Sequence, residues 1–92
     1  MPDEKKLTEA RLETTSGSYP EGDKFKVVKP TEAISVFVAE GVKELKITNT
    51  NGWVLVAGGR KIDPSKIWEQ EGFLGAKVVL DYGPDHSGGG NA

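Results

Sequence analysis

The sequence contains no cysteine and only one histidine, His86. Without cysteine the chain has no disulfide, no thiolate nucleophile and no cysteine-ligated metal. A catalytic histidine needs a fixed position and an orienting partner, and His86 lies in a glycine-rich end that supplies neither. No pair of carboxylates stands in a context that indicates acid–base chemistry. The sequence therefore predicts no metal site, and it predicts that the protein is not an enzyme.

Long apolar runs and runs of basic residues are also missing. No segment approaches the roughly 18 apolar residues that a membrane span needs, and the beginning, "MPDEKKLTEARLE", lacks the apolar core of a signal peptide. The net charge is −2 and charges of both signs are interspersed, so no surface that follows a phosphate backbone is indicated. We expect a cytoplasmic protein whose partners are neither nucleic acids nor membranes.

A chain of 92 residues with 36% apolar and 28% charged residues has the composition of one small globular domain. Residues 1–6 are charged and aperiodic, which is typical of a flexible arm. Alternation from Ala10 to Thr15 predicts a strand, and "KFKVV" predicts a second strand with Phe25 and Val27 on one face. The segment "SGSYPEGD" between them is rich in turn-forming residues and predicts a hairpin loop.

The next segment has helical periodicity. Apolar residues recur at helical spacing from Ile34 to Leu45. Thr31 is placed to cap this helix, and Glu32 would lie in its first turn. Gly41 interrupts the apolar face at a cost of about 1 kcal/mol relative to alanine. This indicates a close approach at Gly41 or a helix that ends there, and we favour a helix over residues 32–45.

The C-terminal half predicts a second hairpin, a helical turn and a final strand. "WVLVAGGRKID" follows an "NTNG" turn as strand, Gly58–Gly59 turn and short strand. "DPSKIWEQEGFLG" predicts a short helical turn anchored by Ile67 and Phe73. "AKVVLDY" is the last strand, and residues 83–92 form a flexible glycine-rich tail. The fold class is α+β: a roll with a mixed sheet of four to five strands and one main helix across it.

The order of these elements over residues 7–82 resembles the ubiquitin-like β-grasp family. "VLVAGGRKID" resembles the strand, glycine turn and short strand before the last helical turn of ubiquitin, and "KIWEQEGFLGAKVVLDY" resembles the segment leading to the diglycine end. The "TTSGSY" hairpin and the residues after the glycines are more similar to predicted bacterial ubiquitin-like modifiers. Two departures are a triglycine in place of diglycine and "YGPDHS" where arginines are common. The second departure favours a dedicated activating enzyme.

The resemblance implies a protein modifier whose conjugation terminus is Gly88, Gly89 and Gly90. A processing protease would cut between Gly90 and Asn91, and an activating enzyme would use ATP to adenylate the exposed carboxylate. The chain itself needs no cofactor. A conjugating enzyme would then deliver the acyl group to a covalent target protein. Glycine suits this end because a Cβ would hinder close approach in a narrow channel.

Two other functions fit the same residues. One is a sulfur carrier with a C-terminal thiocarboxylate, although such carriers commonly end directly at diglycine. The other is a non-conjugating β-grasp interaction domain whose tail, "SGGGNA", is an ordinary frayed terminus.

The resemblance also implies a docking surface for the partner enzymes. It places Val54 inward and Leu55 outward, so Leu55 and Val79 would form an exposed aliphatic patch on the sheet. Scattered apolar residues are normal on protein surfaces, which is the alternative interpretation of this pair. For Trp53 and Trp68 we expect partial burial at the core or its rim.

Overall fold

The computed structural model describes residues 7–85. The predicted arm at residues 1–6 and residues 86–92 of the predicted tail lie outside this range. The elements, in chain order, are β1 (Thr8–Thr14), β2 (Gly17–Tyr19), β3 (Lys26–Val28), α1 (Ile34–Glu44), β4 (Trp53–Ala57), β5 (Arg60–Ile62), a 3-10 helix (Trp68–Glu71) and β6 (Lys77–Pro84). This order confirms the predicted α+β class, with one main helix and a helical turn before the last strand.

The strands form one mixed sheet in the order β2-β1-β6-β4-β5, and β3 also pairs with β1. β1 and β6 are parallel and occupy the centre, while every other described pair is antiparallel. The sheet has six strands, one more than the predicted maximum. The difference arises because the second arm of the first hairpin is divided into β2 and β3, which pair with the two ends of β1.

Arg11 lies where this second arm is interrupted. Its Nη1 donates to the backbone carbonyls of Pro20 at 3.2 Å and Lys24 at 3.1 Å. Nη2 donates to Ser18 Oγ at 3.0 Å, and Nε pairs with the Glu13 carboxylate. A guanidinium offers five donors in a rigid fork, so one side chain holds both ends of the loop that separates β2 from β3.

Helix α1 covers one face of the sheet, and the core lies between them. Alternate residues of the central strands point to this inner face, as the sequence predicted for Val78 and Leu80. Tyr82, the third predicted inward residue of β6, is half-buried against the same core. The buried apolar residues are Ala10, Leu12, Val28, Ile34, Phe37, Val38, Leu55, Ala57, Ile62, Trp68, Val78 and Leu80.

The first helical turn differs from the prediction. α1 begins at Ile34 rather than Glu32, and its N-cap is Ala33, which makes no side-chain capping bond. Instead, the N–H of Ile34 donates to the carbonyl of Lys66, and the N–H of Ser35 donates to the carbonyl of Pro64. A neighbouring loop thus satisfies donors that Thr31 was expected to cap.

Gly41 lies inside the helix because two side chains approach its backbone there. A Cβ at this position would stand 2.5 Å from Leu12 Cδ2 and 3.3 Å from Tyr19 Cδ2. Gly41 is therefore the close approach that the sequence indicated, and the helix continues beyond it to Glu44.

Two predictions about apolar side chains outside the helix need revision. Val28, and not Val27, is the buried valine of β3, whereas Val27 is 54% exposed. The 3-10 helix is anchored by Trp68, which is completely buried. Phe73 is half-buried and packs against the core as predicted, whereas Ile67 is only half-buried. The Trp68 ring packs edge-on against Phe37 with centroids 5.7 Å apart.

The predicted orientation of β4 is wrong: Leu55 points inward and is 2% exposed. The two-residue Gly58–Gly59 turn closes on the pair Ala57 and Arg60, and this fixes the register of the hairpin. Because side chains alternate along a strand, Leu55 shares the inner face with Ala57 and lies opposite buried Ile62.

We predict that Arg11→Met lowers the free energy of unfolding by about 2 kcal/mol, because the loop carbonyls and Glu13 lose a charged donor. Urea denaturation measures this difference. In the control, Lys61→Met removes only the exposed ion pair with Asp85 and should cost less than about 1 kcal/mol. Equal losses in the two variants would contradict the role given to Arg11.

We predict that Leu55→Ala lowers the free energy of unfolding by about 2–5 kcal/mol, since it leaves a cavity in the core. Val79→Ala, at a side chain that is 42% exposed, should stay within about 1 kcal/mol of the parent. Thermal and urea unfolding of both variants check the order. A larger loss for Val79→Ala would reverse the assignment of the two faces.

Candidate functional site

The end of β6 determines where the C-terminal segment leaves the domain. β6 extends to Pro84, two residues past the predicted end at Tyr82, because Gly83 and Pro84 pair with Val54 and Trp53 of β4. Gly83 and Pro84, assigned by sequence to the flexible tail, are therefore part of the sheet. The edge-on packing of Trp53 on Tyr82, with centroids 5.1 Å apart, covers this extension.

Asp85 is the last described residue, and it is held on both sides. Its N–H donates to the carbonyl of Gly52 at 3.2 Å, and its carboxylate accepts a hydrogen bond from Lys61 Nζ at 3.0 Å. Five residues, from His86 to Gly90, remain between Asp85 and the predicted processing bond. A fully extended chain of that length spans about 17 Å. Gly88, Gly89, Gly90 and Asn91 lie outside the described residues.

The outer face of the sheet, opposite α1, carries the surface that the sequence assigned to partner enzymes. Val79 lies on this face and is exposed, whereas Leu55 lies on the other face. The residues that accompany Val79 here are instead Val54 and Val56, both half-buried. Val56 is opposite Asp81 in the register. The structure thus separates the two residues of the predicted patch by the thickness of the sheet.

A groove opens on the outer face beside the exit of the chain. The pairing of β1 with β6 stops at Glu13 and Asp81, whereas β6 runs on to Pro84. Residues 82–84 therefore have a strand neighbour only on the β4 side among the described pairings. The resulting groove encloses about 440 Å³. We call it the exit groove; its floor is formed by the half-buried Val54 and Val56, and its rim includes Glu13, Asp81 and Pro84.

Two carboxylates face the exit groove from adjacent strands. Glu13 and Asp81 are register partners on β1 and β6, so like charges stand opposite each other. Glu13 is paired with Arg11. Asp81 is exposed, and within residues 7–85 no hydrogen bond or ion pair engages its carboxylate. The rim of the exit groove therefore carries excess negative charge.

A second groove lies on the other side of the sheet, between α1 and the hairpin of β4 and β5. It encloses about 430 Å³, and its wall is formed by apolar side chains of Val38, Val42, Trp53, Leu55 and Ile62. Lys61 and Tyr82 also line it, but most of its lining offers apolar contact.

No cluster of histidine, cysteine and carboxylate side chains suited to a metal is found in residues 7–85. A hydrogen bond from Lys26 Nζ to Glu40 at 2.8 Å raises the pKa of the Lys26 ammonium. The Ser65 hydroxyl donates to Asp63 at 2.6 Å and lowers the pKa of that carboxyl. The first contact joins β3 to α1, and the second lies within the loop after β5.

None of the helices within residues 7–85 is both long and apolar enough to cross a membrane.

Sequence reasoning missed Val54, Val56 and the carboxylate pair of the exit groove. The Gly58–Gly59 turn contained the necessary signal for β4: once Ala57 and Arg60 are taken as the closing pair, alternation alone puts Val56 outside. The meeting of Glu13 with Asp81 had no local signal, because they are 68 residues apart and joined only by the register of β1 on β6.

No protein-family model matches the chain, and no curated protein matches it. Among solved structures, a protein designed de novo on the basis of ubiquitin is similar with a TM-score of 0.62 and 22% identity, covering 94% of this chain and 98% of that one. The solution structure of the N-terminal ubiquitin-like domain in the 4931431F19Rik protein is similar with a TM-score of 0.54 and 16% identity, covering 100% and 90%. These likenesses establish the fold: residues 7–85 form a ubiquitin-like β-grasp.

Proposed function

We propose that the protein is a ubiquitin-like modifier of the bacterial kind, and not an enzyme itself. It would be processed after Gly90, activated at that carboxylate and conjugated to target proteins in the cytoplasm. Its partners would be a processing protease, an activating enzyme that consumes ATP and a conjugating enzyme.

The observation that carries this proposal is the position of the glycines relative to the fold. The β-grasp domain ends its central strand at Pro84, and the triglycine begins four residues later in the sequence. A ubiquitin-like modifier needs a compact domain followed by a short glycine-ended tether. Glycine suits the tether because an enzyme channel closing around its backbone leaves no room for side chains.

The chemistry proposed for the terminus proceeds in balanced steps. Hydrolysis of the Gly90–Asn91 bond frees the Gly90 carboxylate and the dipeptide Asn-Ala. The carboxylate attacks the α-phosphorus of ATP, which forms an acyl adenylate and releases pyrophosphate. An enzyme nucleophile displaces AMP, and a target amine then displaces that nucleophile to form an amide. In this proposal every catalytic group belongs to a partner enzyme.

Partner enzymes would contact the outer face of the sheet through Val54, Val56 and Val79. These three residues replace the pair Leu55 and Val79 suggested by the sequence, because Leu55 is buried. Val79 lies on β6, the strand that leads to the tail, and Val54 and Val56 lie on β4, which pairs with the end of β6, so an enzyme that holds the tail would lie beside them.

We predict that N-terminally tagged protein from its native cells has lost Asn91 and Ala92 and forms higher-mass covalent adducts. Intact-mass measurement and a denaturing blot detect both. Replacing Gly89 and Gly90 by alanine should abolish the adducts without changing the unfolding temperature, because both glycines follow β6, the last described strand of the sheet. The control Ser87→Ala keeps the glycines and should still form adducts.

Other outcomes separate the alternatives. A terminus that carries sulfur in place of one carboxylate oxygen would identify a sulfur carrier. A full-length mass without adducts would contradict conjugation and leave an interaction domain. Adducts that persist in the alanine variant would contradict conjugation through Gly90.

A further inference from the structure

We infer that the exit groove binds a partner segment presenting a lysine or arginine side chain flanked by aliphatic residues. The inference deepens the proposed function by naming the chemistry of the partner, and its binding test does not require conjugation. The aliphatic stem of the cation would lie on Val54 and Val56, and its charged head would reach Asp81 and Glu13.

The shape of the exit groove suits an extended chain. β1 stops pairing at Glu13 while β6 continues through Gly83 to Pro84, so the groove occupies the place where a longer β1 would have run. Its floor is apolar and its rim is polar. Lysine and arginine match this arrangement of an apolar floor below a polar rim. They bury their aliphatic stems while their charged heads stay near the surface.

The two carboxylates make the exit groove favour a cationic partner over an anionic one. Like charges directly opposite on adjacent strands destabilise a sheet by a few tenths of a kcal/mol or more. Glu13 is partly neutralised by Arg11, but Asp81 has no cationic partner in the described part of the chain. A cation bound between the two carboxylates would relieve this repulsion, whereas an anionic partner would increase it.

Two cations of the described residues lie beside the exit groove, and both are engaged: Arg11 pairs with Glu13, and Lys61, the register partner of Val56, pairs with Asp85. Lys5 and Lys6 precede Leu7, which joins the domain at the opposite end of β1 from Glu13. Seven strand residues separate the two ends by about 20 Å. The sequence after Asp85, "HSGGGNA", contains no lysine or arginine. The occupant that we infer is a segment of a partner molecule that presents its own cation.

The test uses the full-length chain labelled with ¹⁵N and the probe acetyl-Leu-Val-Arg-Val-Leu-amide. The matched control peptide contains citrulline, which has the length of arginine without its charge. We expect the arginine peptide to shift the amide signals of Val54, Val56 and Gly83, with a Kd on the order of 1 mM. The citrulline peptide should bind about five- to tenfold more weakly, and added salt should weaken only the arginine peptide.

Asp81→Asn tests the carboxylate without disturbing Arg11, which Glu13→Gln would do. We expect Asp81→Asn to weaken the arginine peptide to the level of the citrulline peptide, while Glu44→Gln, on the exposed end of α1, leaves binding unchanged. Equal affinity of the two peptides, shifts confined to another surface, or no shift up to about 10 mM peptide would overturn the inference.

Conjugation is scored separately in cells. Peptide binding without adducts would support the inference about the exit groove and contradict the proposed modifier function. Adducts without peptide binding would support the modifier function and contradict the inference about the groove.

Discussion

The parallel pairing of β1 with β6 is the contact on which the rest of the domain depends. It joins the first and last described strands at the centre of the sheet and aligns the inward residues of both, Ala10 and Leu12 with Val78 and Leu80. Parallel strands cannot be connected by a tight turn, so the helix, the β4–β5 hairpin and the 3-10 helix all lie within the long connection between them. That connection has the length and amphipathic content needed to cover one face and extend the sheet.

The same pairing explains why the exit groove opens on the outer face of the sheet. β1 must turn back at Thr15 to form the first hairpin, but β6 remains paired with β4 as far as Pro84. The difference in length between two neighbouring strands leaves a groove without any special loop. On the other side of β1, a similar mismatch between β2 and β3 is closed by the Arg11 guanidinium. One gap is thus filled by a side chain of the protein and the other stays open.

Much of the fold was predictable because its signals are local. Alternation identified the central strands, helical spacing identified α1, and two glycines identified the tight turn of the second hairpin. Other features depended on contacts that no local pattern reports. The start of α1 follows carbonyls of Pro64 and Lys66, and the anchoring role of Trp68 follows from a space shaped by Phe37. For the site, Val79 was correctly placed on the outer face. Leu55 was predicted to face outward from the family resemblance, whereas the register of the β4–β5 hairpin turns it inward.

The pairing of Glu9 with Lys77 also determines how the domain can fold. These partners are 68 residues apart, and closing so long a loop is entropically costly before any contact compensates for it. Sheets built on such distant pairs form slowly compared with helical domains of equal size. Until β6 docks, β1 and β4 expose backbone groups that only β6 can pair. A nascent chain that lacks its last strand therefore has two unpaired strand edges, and it is most prone to aggregate just before synthesis reaches β6.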